Sequence, residues 1–449
     1  MRRAVFCWLL ALGTLATSAV VAPRPAAAET LRDALTAAYR ENPDLLAARA
    51  RLEAVSERVP QALAGFRPQI FVNGSVDKEA GQTSVGDLDR DGASIALSLT
   101  QNLYAGGGTV AAVAAAESAV LAEKGRLLDV EQNVLLAAVR AYVAVWRDRR
   151  VLELAKVNRR RLAKQLQATR DRFAVGEVAR TDVAQAEARL ARARADVEQA
   201  RADLAASEAE FRRVVGPVPE ELADPELAGM LPQNLEEALQ RAEGHPRVVA
   251  ARHDLEAARS AVDQAFATLL PSLDLNASLS YADDPSVVTD WRRDARISLD
   301  LRVPLYQGGG EYARVREQKR NLQSAQRNLE SVLREIQRRA ATAWERLLAS
   351  RAAISALEEE VRANRIALEG VQQEALVGAR TVLDVLDAEQ ELFQARVNLA
   401  RARAAEVTAS YELAAAVGGL FARNLGLETE LYDPDAYYRL QRNRLFGLE

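Results

Sequence analysis

Hydrophobic positions along this chain change period four times. From Leu31 the period is helical. Near Pro68 it becomes two. It returns to helical at about Gly108, becomes two again near Pro271, and is helical from about Gly310 onward. In the period-two stretches Ile70, Val72 and Val76 alternate with Asn73, Ser75 and Asp77. Ile95, Leu97, Leu99 and Leu103 alternate with Ser94, Ser98, Thr100 and Asn102. The second half repeats this with Leu273, Leu275, Leu279 and Tyr281, then with Ile297, Leu299, Leu301, Val303 and Leu305. Alternation puts one set on each face of a strand. The pattern predicts strands at about 68–80, 93–104, 271–282 and 295–306, joined by polar loops at 81–92 and 283–294. Each is long enough to cross a bilayer at a tilt.

The helical stretches are long. Little interrupts the pattern from Gly108 to Val175, which at 1.5 Å per residue gives roughly 100 Å. A turn at Gly176 leads to a helix of half that length, ending near Val215. In it Val183, Leu190, Val197, Leu204 and Phe211 recur every seven residues, with Ala186, Ala193, Ala200, Ser207 and Val214 between them. Repeat two carries Val385, Leu392, Leu399 and Leu413, with Ala388, Ala395, Ala402, Ala409 and Ala416. A three-four alternation is the coiled-coil period, and alanine at every second seam position permits close helix approach. A first helix of about 35 residues precedes each strand pair and is expected to break at Pro43 and at Pro246. Two shorter helices end to end match one long helix, as in a tube.

The halves are copies. "LYAGGG" (103–108) and "LYQGGG" (305–310) lie 202 residues apart. The same offset pairs Gly176 with Gly378, Asp182 with Asp384 and Gly216 with Gly418, and slips to 203 for Pro43–Pro246 and Pro68–Pro271. A constant offset is an internal duplication. The organisation is repeat one at 29–216, a Pro-rich linker at 217–234, repeat two at 235–418 and a tail at 419–449. Gly106, Gly107, Gly108 and Gly308, Gly309, Gly310 stand where strand becomes helix, where unusual angles and close approach favour glycine. Tyr104 and Tyr306 precede them, where an interfacial aromatic belongs.

Composition sharpens this. Arg2 and Arg3, an apolar run and Ala26-Ala27-Ala28 read as a secretory signal at 1–28. No cysteine sits where a lipid anchor would need one. Without those residues 56 basic side chains face 63 acidic ones, a balance unsuited to nucleic acid. Cys7, the sole cysteine, leaves with the signal. No apolar run is long enough for a membrane helix, so a membrane crossing falls to the strands. Four strands cannot close a barrel, and open edges in lipid leave unsatisfied backbone groups. A membrane reading therefore demands several copies. Two give eight strands and a filled interior, three give twelve and a lumen. The inward charges Asp274, Arg296, Asp300 and Arg302 favour the wet lumen. A soluble periplasmic coiled-coil scaffold or adaptor shares the heptads but has no use for such strands. No cofactor or metal site is expected. His245 and His253 are the only histidines, no nucleophile–base constellation surrounds them, and an enzyme is not expected.

The turns at the far ends of the long helices carry the remaining candidate chemistry. Gly176 and Gly378 suit the positive φ that ends a helix. Asp182 and Asp384 follow in the next helices, where acids near an N-terminus commonly serve the helix dipole. Asp387, three residues after Asp384, shares its face. A threefold assembly would set six such carboxylates at one constriction, repelling anions and binding cations. Arg380 has no basic counterpart in repeat one and is expected to pair with Asp182 of the neighbouring repeat.

The duplication, "PQIFVNGSV", "PSLDLNASL", "PLYQGGG" and above all "VGARTVLDVLDAEQELFQAR" together resemble the TolC family of outer-membrane efflux and secretion channels, over nearly all of the chain beyond the signal. The resemblance implies a homotrimer with a twelve-stranded barrel in outer-membrane lipid and a twelve-helix periplasmic tunnel. It implies as partners a periplasmic adaptor and an inner-membrane pump or ABC transporter. By position, Thr181, Asp182 and Arg380 match the family's tip-closing links, and Asp384 and Asp387 its pore aspartates. Ala375 stands where the family's best-studied member has a tyrosine, so one link to Asp182 is missing. The tail and the linker are expected to form a belt around the tunnel.

Overall fold

The computed structural model describes residues 29–84, 86–229, 231–286 and 289–447. The stretch read as a signal lies outside them. The first repeat runs α1 (Leu31–Glu41), α2 (Pro43–Ser56), α3 (Arg58–Leu63), a 3-10 turn (Ala64–Phe66), β1 (Gln69–Thr83), β2 (Gly86–Ala105), α4 (Gly108–Ala174) and α5 (Arg180–Val214). The second runs α6 (Leu235–Ala242), α7 (Pro246–Ala267), β3 (Ser272–Ser286), β4 (Thr289–Arg302), α8 (Gly310–Leu376) and α9 (Val382–Ala416). Two short helices, α10 (Ala422–Leu425) and α11 (Ala436–Gln441), follow.

Local chemistry explains the joints. Thr30 and Asp33 cap α1 reciprocally. Asn42 ends α1 and starts α2: its side-chain oxygen accepts from the Asp44 N–H at 3.0 Å, and Pro43 takes the first helical position. His245 does the same before Pro246, its Nδ1 accepting from the Arg247 N–H at 3.1 Å. The first helix is thus more broken than the two pieces expected, since α2 also yields to α3 at Glu57, where a proline follows at position 60.

Helices α4 and α8 each have 67 residues, about 100 Å. Helices α5 and α9 have 35 each, about half of that. The alanine seam of α5 is buried at Ala186, Leu190, Ala193, Val197, Ala200, Ser207, Phe211 and Val214. Helix α9 buries two stripes. One, through Val385, Leu392, Ala395, Ala409 and Leu413, matches the heptad seam. The other, through Leu386, Val397, Ala400, Ala404, Val407 and Tyr411, joins α9 to α4 as well as to α8.

The largest core cluster lies midway along α4 and gathers α1, α2, the linker, the end of α9 and the tail. The linker is pinned there. The Tyr142 hydroxyl lies 2.8 Å from the carbonyls of both Glu29 and Ala223, which share its one proton. Arg149 donates to the carbonyls of Pro219 (2.7 Å) and Glu220 (2.9 Å). The Ala228 N–H donates to Ser410 Oγ at 3.1 Å. The tail runs from Glu131, which accepts the Ala422 N–H at 2.8 Å, toward the sheet, where Arg442 meets Glu117 at 2.8 Å.

The four strands form one antiparallel sheet in the order β1-β2-β3-β4. The 81–92 and 283–294 segments, expected as loops, are mostly strand: β1 reaches Thr83, β2 starts at Gly86, β3 reaches Ser286 and β4 starts at Thr289. In the first hairpin cross-strand charge pairs account for it. Lys78 faces Asp91 at 3.2 Å and Arg90 meets Glu79 at 2.8 Å, so polar residues there satisfy one another on a ladder. At its other end β4 stops at Arg302, short of the expected 306, because Pro304 has no N–H for a ladder.

Candidate functional site

The sheet has two unlike faces. Ile70 lies opposite Leu99, Val72 opposite Leu97, Leu97 opposite Leu279, Leu275 opposite Leu299 and Leu273 opposite Leu301. These side chains form a continuous apolar surface, and Ile70, Val72, Leu279, Ile297, Leu299 and Leu301 are exposed on it. A surface of this extent with no protein layer over it belongs against lipid. The other face is a hydrogen-bonded polar ladder. Thr100 Oγ1 donates to Asn276 Oδ1 at 2.9 Å, Asn276 Nδ2 to Asp300 Oδ2 at 2.6 Å, and Asn102 Nδ2 to Asp274 Oδ1 at 2.8 Å. Among the described residues no helix is long and apolar enough to cross a membrane.

The strand–helix junctions differ between repeats in one respect. Gly106 and Gly107 have φ of 62° and 83°, and Gly308 and Gly309 have φ of 79° and 86°. Gly108 and Gly310 begin the long helices. At Gly106 a Cβ would also sit 2.6 Å from the Ala267 carbonyl oxygen and 2.7 Å from Leu270 Cβ. At Gly308, Gly309 and Gly310 a Cβ would meet nothing within 4 Å. Tyr104 and Tyr306 are both exposed beside these junctions.

The far tip is built from the two turns. Gly176 and Gly378 have φ of 83° and 78°. Glu177 N–H returns to the Arg172 carbonyl at 3.0 Å and Ala379 N–H to the Glu374 carbonyl at 2.9 Å, so both turns close alike. Thr181 is exposed in the first turn of α5. Asp182 accepts the Ala179 N–H at 3.0 Å. Asp384 accepts the Thr381 N–H at 2.9 Å and the Thr381 hydroxyl at 2.8 Å. These donors, with Arg380 nearby, hold its carboxyl below the usual carboxylate range.

Two ion pairs are made at the tip within the single chain. Arg380 Nε donates to Glu374 Oε2 at 2.7 Å within its own turn. Only six residues separate the two, so this pair closes with the turn itself. Asp387 is held by Arg189 of α5 through a charge-assisted hydrogen bond. Arg189 was not singled out in the sequence; its register, seven residues after Asp182, was the available signal. Along α9 the heptad positions Asp384, Glu391 and Asn398, with Asp387, Gln394 and Arg401, lie roughly opposite the row of Glu389, Arg396, Arg403 and Ser410. Ser410 faces the linker. The two aspartates therefore look away from the side that carries the belt of linker and tail.

Lipid-facing strands, a polar inner face, paired long helices and a duplicated acidic tip meet in one chain. The family model described as "Outer membrane efflux protein" matches residues 34–217 and 235–419. The chain belongs to this family of TolC-type outer-membrane channels. The outer membrane efflux protein BepC of Brucella suis is 36% identical over 443 residues, covering 98% of this chain and 96% of BepC. The outer membrane protein TolC of Vibrio cholerae is 27% identical, with 91% of this chain and 94% of TolC covered. Among solved structures, the outer membrane protein VceC of Vibrio cholerae superposes with a TM-score of 0.77 at 21% identity, covering 87% of this chain and 96% of VceC. The TolC-family chain is thus an outer-membrane exit channel with a large periplasmic part, and the soluble-scaffold alternative is set aside. The family is one of channels, not enzymes. Among the described residues no cluster of His, Cys, Asp and Glu is grouped to hold a metal.

Proposed function

We propose that three copies of this chain close a twelve-stranded barrel in the outer membrane and a twelve-helix tunnel beneath it, gated at the tip. The observation that carries the reading is the open sheet: β1 and β4 are edges, one face is apolar and the other is a polar ladder. Lipid tolerates no such edge, and a closed ring of sheets removes it. Three copies leave a lumen wide enough for Asp274, Arg296, Asp300 and Arg302 to stay hydrated.

In this assembly Asp384 and Asp387 from three chains form an acidic constriction, which favours cations over anions. Thr181, Asp182 and Arg380 belong to the gate, with the Arg380–Glu374 pair of the free turn competing against an Arg380–Asp182 link between neighbouring helix pairs. The tip is the docking end for a periplasmic adaptor and an inner-membrane pump or ABC transporter, which supply the cargo and open the gate. Mass measurement of the detergent-extracted protein from outer-membrane fractions tests the assembly. Three chains per particle are expected; one or two would overturn it.

A further inference from the structure

The β2–β3 contact is a junction between two repeats, so in a ring of identical chains the β4–β1 contact between neighbours is the same junction once more. We propose that β4 of one subunit pairs with β1 of the next in the register obtained by carrying β2–β3 through the duplication. This rests on the oligomeric reading above, and it names the partner of each edge residue.

The duplication is regular enough to carry a register. β2 maps onto β4 at an offset of 202 and β1 onto β3 at 203. Both hairpins obey these offsets independently: Ile70 pairs with Leu99 where Leu273 pairs with Leu301, and Gln69 with Thr100 where Ser272 pairs with Arg302. Within the chain Ser98 faces Ser278, Leu97 faces Leu279 and Ser94 faces Ala282. Carried across, Asp300 faces Ser75 of the next chain, Leu299 faces Val76 and Arg296 faces Glu79.

Five features fit this seam. Leu299 and Val76 are exposed apolar edge residues and meet on the lipid side. Arg296 and Glu79 carry opposite charges and meet on the polar side, where Glu79 already holds Arg90 at 2.8 Å. A slip of two residues in one direction would instead set Asp300 against Asp77, and like charges directly opposite are unfavourable. The β2–β3 ladder bulges between Asn102 and Tyr104, and the residue that maps to Asn102 is Pro304, at a site where a strand tolerates proline. Lastly, Gly106 abuts Ala267 and Leu270, whereas Gly308 abuts nothing in its own chain. The space beside Gly308 is where Ala64 and Arg67 of the neighbour belong, and pairing would extend β4 past Pro304 to Gln307.

The test is disulfide trapping in outer membranes. Cys7 is the sole cysteine and lies in the signal, so no other thiol competes. Asp300→Cys/Ser75→Cys and Leu299→Cys/Val76→Cys are compared with Asp300→Cys/Asn73→Cys and Asp300→Cys/Asp77→Cys. Directly opposed Cα atoms lie about 4.5–5.5 Å apart and suit a disulfide, whereas diagonal neighbours exceed its reach. Because paired positions alternate in hydrogen bonding, the two in-register pairs sample both geometries. Dimer and trimer bands from an in-register pair, and not from the shifted pairs, are expected. Bands from a shifted pair, or from none in particles of trimer mass, overturn the register and leave the trimer standing. Monomer mass overturns the oligomeric reading with it. Independently of thiols, Arg296→Glu should weaken resistance of the assembly to detergent, and unchanged resistance contradicts the seam.

Discussion

Arg189 of α5 reaches Asp387 of α9, so one charge-assisted bond ties the tips of the two repeats within a single chain. Both side chains are partly exposed, so the pair contributes at most about 1 kcal/mol to stability. In the proposed constriction its electrostatic effect is the larger consequence. Arg189→Ala should leave the melting temperature nearly unchanged and raise the cation-to-anion permeability ratio. Asp387→Asn should lower that ratio. Reversal-potential measurements in a salt gradient read both.

Arg380 bonds Glu374 in its own turn, and the proposed closed tip offers it Asp182 of a neighbouring helix pair, so the two acids predict opposite effects. Glu374 holds it in the turn at 2.7 Å. Glu374→Gln frees Arg380 for Asp182 and should tighten the closed tip, giving smaller conductance steps. Arg380→Ala removes the bridging cation and should enlarge them. Equal responses from the two variants would place the gate elsewhere.

His245 predicts a pH dependence in the periplasmic part. Burial, with Arg247 and Arg339 nearby, pushes its pKa down to about 4 from an ordinary value of 6.5. The folded chain keeps the ring neutral while the unfolded chain protonates near its ordinary value. Stability from this group is therefore full above about pH 6.5 and declines as pH falls from there toward 4, by at most ~3 kcal/mol. His245→Asn keeps a capping oxygen, as Asn42 does in repeat one, and should flatten that limb of a stability-versus-pH curve.

The junction glycines separate steric from conformational cost. Gly107→Ala meets only its positive φ, a penalty of about 1–2 kcal/mol. Gly106→Ala adds overlap with the Ala267 carbonyl at 2.6 Å, for which overpacking costs about 1–3 kcal/mol more. The Gly106 variant should melt well below the Gly107 variant; similar values would mean that the junction yields easily.

The duplication, both long helices and the four strands were legible because each depends on period and on glycine or proline placement within one stretch of chain. The helix ends at Ala174 and Leu376 fall within two residues of what Gly176 and Gly378 imply. The charged ends of the hairpins were not legible. Arg90 and Asp91 read as loop by hydropathy and are strand because they pair with Glu79 and Lys78 across the ladder. The second stripe of α9 was hidden for a related reason: Leu386, Val407 and Tyr411 pack in clusters with α4, more than 200 residues earlier, and a heptad seam drawn for one neighbour does not reveal a second. At the tip, glycines and aspartates follow from helix-end chemistry. The partners of Arg380 and Asp387 depend on where neighbouring side chains stand in space.

Conductance of the purified protein in planar bilayers, for wild type and for Asp384→Asn/Asp387→Asn, tests the central claim most directly. An acidic constriction behind a closed tip predicts small cation-preferring steps in the wild type and loss of most of that preference in the variant. Wild-type steps without cation preference, or a preference that survives loss of both carboxylates, would contradict it.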